Sequence, residues 1–585
     1  MKRSIRAVLS GFAVAALLAT SVTATADARG RGHVGEPGPV EIPQRYLDQE
    51  VNWAPCSFDG TVKGLYPDAP DTNCATVTVP MDWQNPDDHP DIQVAIAYSE
   101  ATGDSKGLMV TNPGGPGGAG LTLSAALAIS KTQLFSDYDL LGFDPRGFGR
   151  STRLSCPIDA AELAALPVTP DYRERTKQTH EVEVAEAKLL AKACSATEFA
   201  EFVDTQQTVY DMDFLRALLD HDEMNYIGYS YGTWLGTWYA DTYPERVGRF
   251  ILDSNMNWVG DMYDNQTSDS LSFQRRRDQM LFPWIARNNE TYGLGTTAKA
   301  VEQRYEQIRA KLVANTKAGV EGPTGYELDI AVLNPIYTNA GFPTAAEAIV
   351  ELGKVADSGE VSPAARTALA AATDNRAVTP ADLLADKRAE AKQSSEQIVD
   401  LGSVGTVVRC NDTPYGSNPQ PYLRAADRDT RKYSYIGYFN TVPMCAFWPH
   451  QQQPRRMDLT GSPQLLMFQA EGDPATATEG ALQSHFRTLR KTVFVGVPQE
   501  GQHGLYIDGP SACVEQIGDA FLFDTKATLP KDMTLCATSP LPGDSQVHDL
   551  RGPLDWVEWW MAPQPTKKKG NPMLKQARRE AAGRF

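Results

Sequence analysis

Gly228-Tyr-Ser-Tyr-Gly232 sets one serine between two glycines, where the short apolar run Asn225-Tyr-Ile-Gly gives way to a helical pattern from Trp234 to Tyr243. A serine on such a tight strand-to-helix turn needs neighbours without Cβ atoms, and the turn would hold the Ser230 hydroxyl above a sheet edge. It would also aim the next backbone N–H, that of Tyr231, at a substrate oxyanion near a helix N-terminus. The chemistry this allows is nucleophilic. A weakly acidic serine needs a base, and the base needs an orienting carboxylate. An ordinary glycine turn is the plain alternative for the same five residues.

Of the eight histidines, His450, His485, His503 and His548 follow the serine at a plausible distance. His503 sits in Gly501-Gln-His-Gly504, just beyond the apolar run Val493-Phe-Val-Gly-Val, where a serine–acid–histidine chain order delivers the base. His485 lies inside a helical pattern near Arg487 and reads as a surface residue. His450 falls at the end of a long helical stretch, and His548 in a polar segment. The acid should end the preceding strand. Leu465-Leu-Met-Phe-Gln-Ala-Glu-Gly-Asp473-Pro offers Glu471 and Asp473, and Asp473, between Gly and Pro, has the setting of a turn carboxylate. A plain Asx-turn would look the same. Asn112-Pro-Gly-Gly-Pro-Gly-Gly-Ala-Gly120 is too glycine-rich for packed core, and its Gly115 N–H reads as the second oxyanion donor. A phosphate loop would need a following Lys-Ser/Thr, which is absent.

These residues must be held by a sheet. Cys74–Trp83 and Ile92–Tyr98 alternate apolar and polar residues and predict an opening antiparallel pair. Gly107–Thr111, Tyr138–Phe143, Asn225–Gly228 and Arg249–Asp253 read as further strands, with a helix over 204–222. Strands alternating with helices predict an α/β fold with a mostly parallel sheet covered on both faces. From about Asn257 to Asp458 the pattern turns helical, as in 296–318 and 362–396, before alternation resumes at Leu465. The division is therefore a core over 49–256 and 459–562, interrupted by a helical lid insertion over 257–458.

The chain has 585 residues, with 42% hydrophobic and 22% charged, which is ordinary for a globular protein. Its formal net charge of −18 argues against nucleic acid or an anionic membrane as partner, since both need a basic footprint. Met1-Lys-Arg-Ser-Ile-Arg, the apolar run Ala7–Ala19 and the small residues up to Ala28 form a Sec-type signal peptide pattern over 1–28, and the apolar run is too short to span a bilayer. Residues 29–48 read as a flexible mature N-terminus and 563–585 as a basic tail. Cys56, Cys74, Cys156, Cys194, Cys410, Cys445, Cys513 and Cys536 are an even set in an exported chain, which suggests disulfides. Sequential pairs would each close a modest loop, although spacing alone leaves the connectivity open. Metal binding is disfavoured, because no Cys-x-x-Cys pair or histidine cluster accompanies them.

Together, Asn112-Pro-Gly-Gly-Pro-Gly-Gly, Gly142-Phe-Asp-Pro-Arg-Gly147, Gly228-Tyr-Ser-Tyr-Gly-Thr233, Gly472-Asp473 and His503-Gly504 resemble the motifs of secreted actinobacterial tripeptidyl aminopeptidases, in the proline-iminopeptidase-like branch of the α/β-hydrolases. Trp53-Ala-Pro-Cys56, Val79-Pro-Met-Asp82, Tyr210–Arg216, Leu252-Asp253, Cys410-Asn-Asp412 and the Cys513–Cys536 segment extend the likeness over roughly residues 50–540. The resemblance implies an α/β-hydrolase fold and release of short peptides, tripeptides foremost, from substrates with a free N-terminus. It implies a Ser230–Asp473–His503 triad with no metal or organic cofactor. Within that reading, Asp412 is a candidate for binding the terminal ammonium, whereas Asp144 and Arg146 hold the loop near the active site. Two departures bear on the pocket floor: Thr476-Ala477 stands where the family has Thr-Pro, and Gln502 where it has a small residue. A carboxylesterase or lipase using the same triad is the alternative.

Overall fold

The computed structural model describes residues 38–169, 171–373, 387, 398–400, 402, 404–451, 455–507, 509–524, 526–530, 533–555 and 557. The signal pattern of 1–28 and the basic tail of 563–585 lie outside them. The described residues from Pro39 onward belong to one compact unit.

Its strands are β1 (Ala54–Pro55), β2 (Asn73–Pro80), β3 (Asp91–Ser99), β4 (Leu108–Asn112), β5 (Asp139–Phe143), β6 (Pro157–Asp159), β7 (Met224–Tyr229), β8 (Val247–Asp253), β9 (Ile398–Asp400), β10 (Leu465–Ala470), β11 (Thr492–Val497) and β12 (Met533–Leu535). Ten of them form one sheet, ordered β1-β2-β3-β5-β4-β7-β8-β10-β11-β12. The pairs from β1 to β5 are antiparallel, and those from β5 through β4 to β12 are parallel. Strand β4 is buried at every position, as are β10 and β11, because helices cover both faces. The predicted antiparallel opening and the parallel centre are both present.

The helix over 204–222 runs from Thr205 to Leu218, capped by Asp204, which accepts the Gln207 N–H at 2.6 Å. It stops early because Asp220 takes φ 58°, a left-handed conformation no helix can continue. The stretch 29–48, expected to be a flexible N-terminus, holds packed structure among its described residues. Gln44–Leu47 is a turn of helix, and Tyr46 is buried with its ring 5.6 Å from Trp83.

The inserted stretch carries its own apolar cluster, including Phe273, Trp284, Ile308, Phe342, Ile349 and Leu352. Its helices include Met262–Arg276, Ala298–Lys317, Gly325–Leu333 and Phe342–Ser358. Of the stretch 362–396, Pro363–Thr373 is helix and nearly all the rest lies outside the described residues. The insertion also contains β9, which pairs antiparallel with β6 in a separate two-stranded sheet. Among the described residues, no helix is long and apolar enough to cross a membrane.

Candidate active site

Ser230 caps the helix Tyr231–Thr242 directly after β7, with φ 55° and ψ −122°. This sparsely populated conformation costs on the order of 1–3 kcal/mol and persists only where the surroundings impose it. Here they do. The Ser230 N–H donates to the Asp253 carbonyl at the end of β8 (3.0 Å), and the Ser230 carbonyl accepts from the Thr233 N–H (2.9 Å) and hydroxyl (2.6 Å). The side chain is left partly exposed. Tyr231 is the first helical residue, where a backbone N–H has no acceptor within the helix.

Asp473 follows β10 and is fully buried. Its Oδ1 accepts the Ala475 and Thr476 N–H groups, each at 2.9 Å. The same carboxylate meets His503 Nδ1 at 2.9 and 3.0 Å. Two further contacts hold His503: its backbone N–H donates to the Tyr337 carbonyl at 2.8 Å, and the Tyr337 ring packs edge-on to the imidazole at 5.4 Å. Burial disfavours the imidazolium. The Asp473 charge and hydrogen bond, with Asp253 behind, outweigh it and raise the His503 pKa above its ordinary value.

The base loop and the serine turn share supports. Asp253 Oδ2 accepts the Leu505 (2.8 Å) and Tyr506 (2.6 Å) N–H groups, Ser254 Oγ accepts the Gly504 N–H (2.8 Å), and Tyr229 donates its hydroxyl to the Tyr506 carbonyl (2.8 Å). Burial pushes the Asp253 carboxyl up to about 7, against those two N–H groups.

The glycine loop after β4 packs on the same turn. Gly114 has φ 97°, and a Cβ there would come 2.9 Å from Ser230 Cβ and 3.0 Å from the Tyr231 nitrogen, so only glycine permits this approach. Gly115, next in the chain, offers an N–H that no described residue accepts. A helix of the insertion, Val404–Asp412, closes over the loop: a Cβ on Gly405 would come 2.5 Å from the Pro116 carbonyl, and Arg409 donates to the Gly115 carbonyl at 3.4 Å.

Asp412 is not in the cleft. It is fully buried, accepting from Thr205 N–H (2.8 Å), Thr205 Oγ1 (2.5 Å) and Trp234 Nε1 (3.1 Å), and burial pushes it up to about 8. With its oxygens so engaged it supports the Tyr231 side chain, whose hydroxyl lies 2.5 Å from Thr205 Oγ1, and does not reach substrate. His485 is likewise no surface residue. It is buried behind β11, with Nδ1 2.9 Å from Thr492 Oγ1. Glu471 accepts the Gln499 and Leu554 N–H groups and is structural.

Asp144 accepts the Gly120 and Leu121 N–H groups at the end of the glycine loop, and Arg146 pairs with Asp211 through two 2.7 Å bonds. The cysteines join in sequential pairs, Cys56–Cys74, Cys156–Cys194, Cys410–Cys445 and Cys513–Cys536. Tyr337, Ser254 and Arg409 were not visible as site residues, because each reaches the site from a distant element without a motif of its own, and Asp253 was visible only within the Leu252-Asp253 landmark, with no role attached.

Over 509 residues the chain is 29% identical to a tripeptidyl aminopeptidase of Streptomyces coelicolor, covering 84% of this chain and 87% of the relative. It is 28% identical over 523 residues to the serine protease Hip1 of Mycobacterium tuberculosis, covering 84% and 91%. A protein named carboxylesterase B from the same species is 28% identical over 483 residues, covering 79% and 86%. Residues 107–510, which run from the start of β4 past the base loop, match the family described as the alpha/beta hydrolase fold. With its parallel sheet, serine turn and late histidine loop in that order, the chain belongs to the α/β-hydrolase fold family.

Proposed function

We propose that this chain is an exported serine exopeptidase that releases short peptides, tripeptides foremost, from the free N-terminus of peptide substrates. The observation that supports this most is the pairing of His503 with buried Asp473 in a loop braced against the strained Ser230 turn. The relatives named tripeptidyl aminopeptidase and serine protease favour a peptide substrate.

In the mechanism, Ser230 Oγ attacks the scissile carbonyl while His503 Nε2 takes its proton. Asp473 keeps the proton of the neutral imidazole on Nδ1 and stabilises the imidazolium. The N–H groups of Tyr231 and Gly115 receive the oxyanion. His503 then protonates the leaving amine, and water hydrolyses the acyl-enzyme by the same route in reverse. The 257–458 insertion acts as a lid that limits how much acyl chain fits beyond Ser230. Four disulfides suit an oxidising, extracellular setting.

The relative named carboxylesterase B favours a second reading, an esterase with the same triad. Parallel assays on a tripeptidyl p-nitroanilide and on p-nitrophenyl esters separate the two, with Ser230→Ala as the blank. Mass spectrometry of a mixed peptide digest should give N-terminal products of uniform length. Ester turnover without peptide turnover would sink the peptidase reading, and internal cuts would sink the exopeptidase one.

A further inference from the structure

A free peptide N-terminus is an ammonium ion, and recognising it takes a carboxylate on the cleft wall with oxygens still able to accept. Asp412 fails that requirement, since Thr205 and Trp234 occupy it in the interior. Asp269 meets it. It lies on the insertion helix Met262–Arg276, one turn before Ser272, and residues three apart share a helix face. Ser272 Oγ donates to the Pro474 carbonyl at 2.7 Å, immediately after the acid Asp473. One turn further on, the Arg276 side chain packs against Gly501 of the base loop. This face therefore runs along the acid and base loops, and Asp269 is the carboxylate at its other end.

The charges that Asp269 feels and exerts come from residues around the site. Its charge acts on Tyr337, the residue packed on His503, and it interacts with Asp473 and with Arg409, which itself donates to the Gly115 carbonyl of the glycine loop. These charges and the helix face that carries Ser272 and Arg276 put Asp269 on the side of the insertion that borders the acid and base loops. The side chain is partly exposed, and no described residue donates a hydrogen bond to its carboxylate. Burial raises its pKa well above the ordinary carboxylate value, with Arg409 opposing and Asp473 adding to the effect. Desolvation favours the neutral acid, so an ammonium brought by the ligand would pair with the group and draw it back to its carboxylate form.

We propose that Asp269 receives the terminal ammonium of the peptide, so that the span from Asp269 to Ser230 sets how many residues lie between the N-terminus and the scissile bond. This rests on the exopeptidase reading above. The test compares kcat/KM for trialanine p-nitroanilide with that for its N-acetyl derivative, in the wild-type chain, Asp269→Asn and Asp269→Glu. Thermal unfolding and fluorophosphonate labelling of Ser230 report the fold of each.

The wild type should prefer the free amine. Asp269→Asn should reduce that preference by about 10- to 100-fold, and Asp269→Glu should retain much of it. A preference in Asp269→Asn within about twofold of the wild type would overturn the assignment while leaving the peptidase reading intact. An N-acetyl-Lys-Ala-Ala anilide cleaved as well as free trialanine, in an Asp269-dependent way, would assign the carboxylate to a side chain and overturn it too. A wild type that hydrolyses p-nitrophenyl acetate but neither anilide would refute the peptidase reading itself, and the assignment with it.

Discussion

In the proposed mechanism Asp473 acts on His503 in two ways, by fixing which ring nitrogen keeps its proton and by stabilising the cation that forms during attack. Both effects are lost in Asp473→Asn, and kcat should fall by about 10³- to 10⁴-fold. The pH profile gives an independent reading. The base works as neutral imidazole, so activity rises with pH through the folded pKa of His503. That pKa is raised, so the acid limb of kcat/KM should centre above 6.5 in the wild type. With Asp473 neutralised, burial is left as the main influence and lowers the pKa, so the residual activity of Asp473→Asn should have its acid limb displaced to lower pH. An unmoved limb would show that Asp473 does not set the charge state of the base. Ser230, Asp473 and His503 were legible because each sits in a local turn whose chemistry is written in nearby residues: glycines two residues either side of the serine, Gly-Asp-Pro at a strand end, Gly-Gln-His-Gly past the next. Asp412, Asp269 and His485 were not legible in this way. The state of each depends on what packs over it from elsewhere, and Asp412 next to Cys410 looks the same in sequence whether it faces solvent or Thr205.

At the scale of elements, the strands that lead to the glycine loop, Ser230, Asp473 and His503 could be read from apolar runs and turn residues, since β4, β10 and β11 are short, apolar and have Gly or Pro within two residues of an end, and β7 runs into Gly228-Tyr-Ser-Tyr-Gly232. The pairing of β6 with β9 could not. Three residues of ordinary composition meet three others from the far end of the insertion, and nothing local marks either partner. β12 was missed for the same reason, being a three-residue edge strand beside a disulfide. The Val404–Asp412 helix ends at the Cys410–Cys445 bond, which closes a loop of 35 residues. Removing both sulfurs in Cys410→Ala/Cys445→Ala should cost about 3–4 kcal/mol by the loop-closure estimate. Urea unfolding of the double variant against the wild type measures it, and a change under ~1 kcal/mol would mean that packing alone anchors this helix.

For the molecule as a whole, the balance of charge is the property most plainly set by composition. A chain of net charge −18 attracts cationic peptides from a distance, and that attraction is screened by salt. Raising ionic strength from about 0.02 to 0.5 M should therefore lower kcat/KM for a lysine-rich peptide several-fold more than for a neutral one of equal length. Equal salt dependence for the two would show that encounter is not steered. The Gly405 contact with Pro116 has a different kind of consequence. One wall of the glycine loop is built by the inserted segment, so on the proposed reading the lid and the oxyanion loop are not interchangeable parts. Grafting the 257–458 segment of a relative onto this core, as a way to change which peptides are accepted, would also exchange the clamp on the oxyanion loop. Such a chimaera would show its defect first in turnover of the smallest ester, a substrate too short to touch the lid at all.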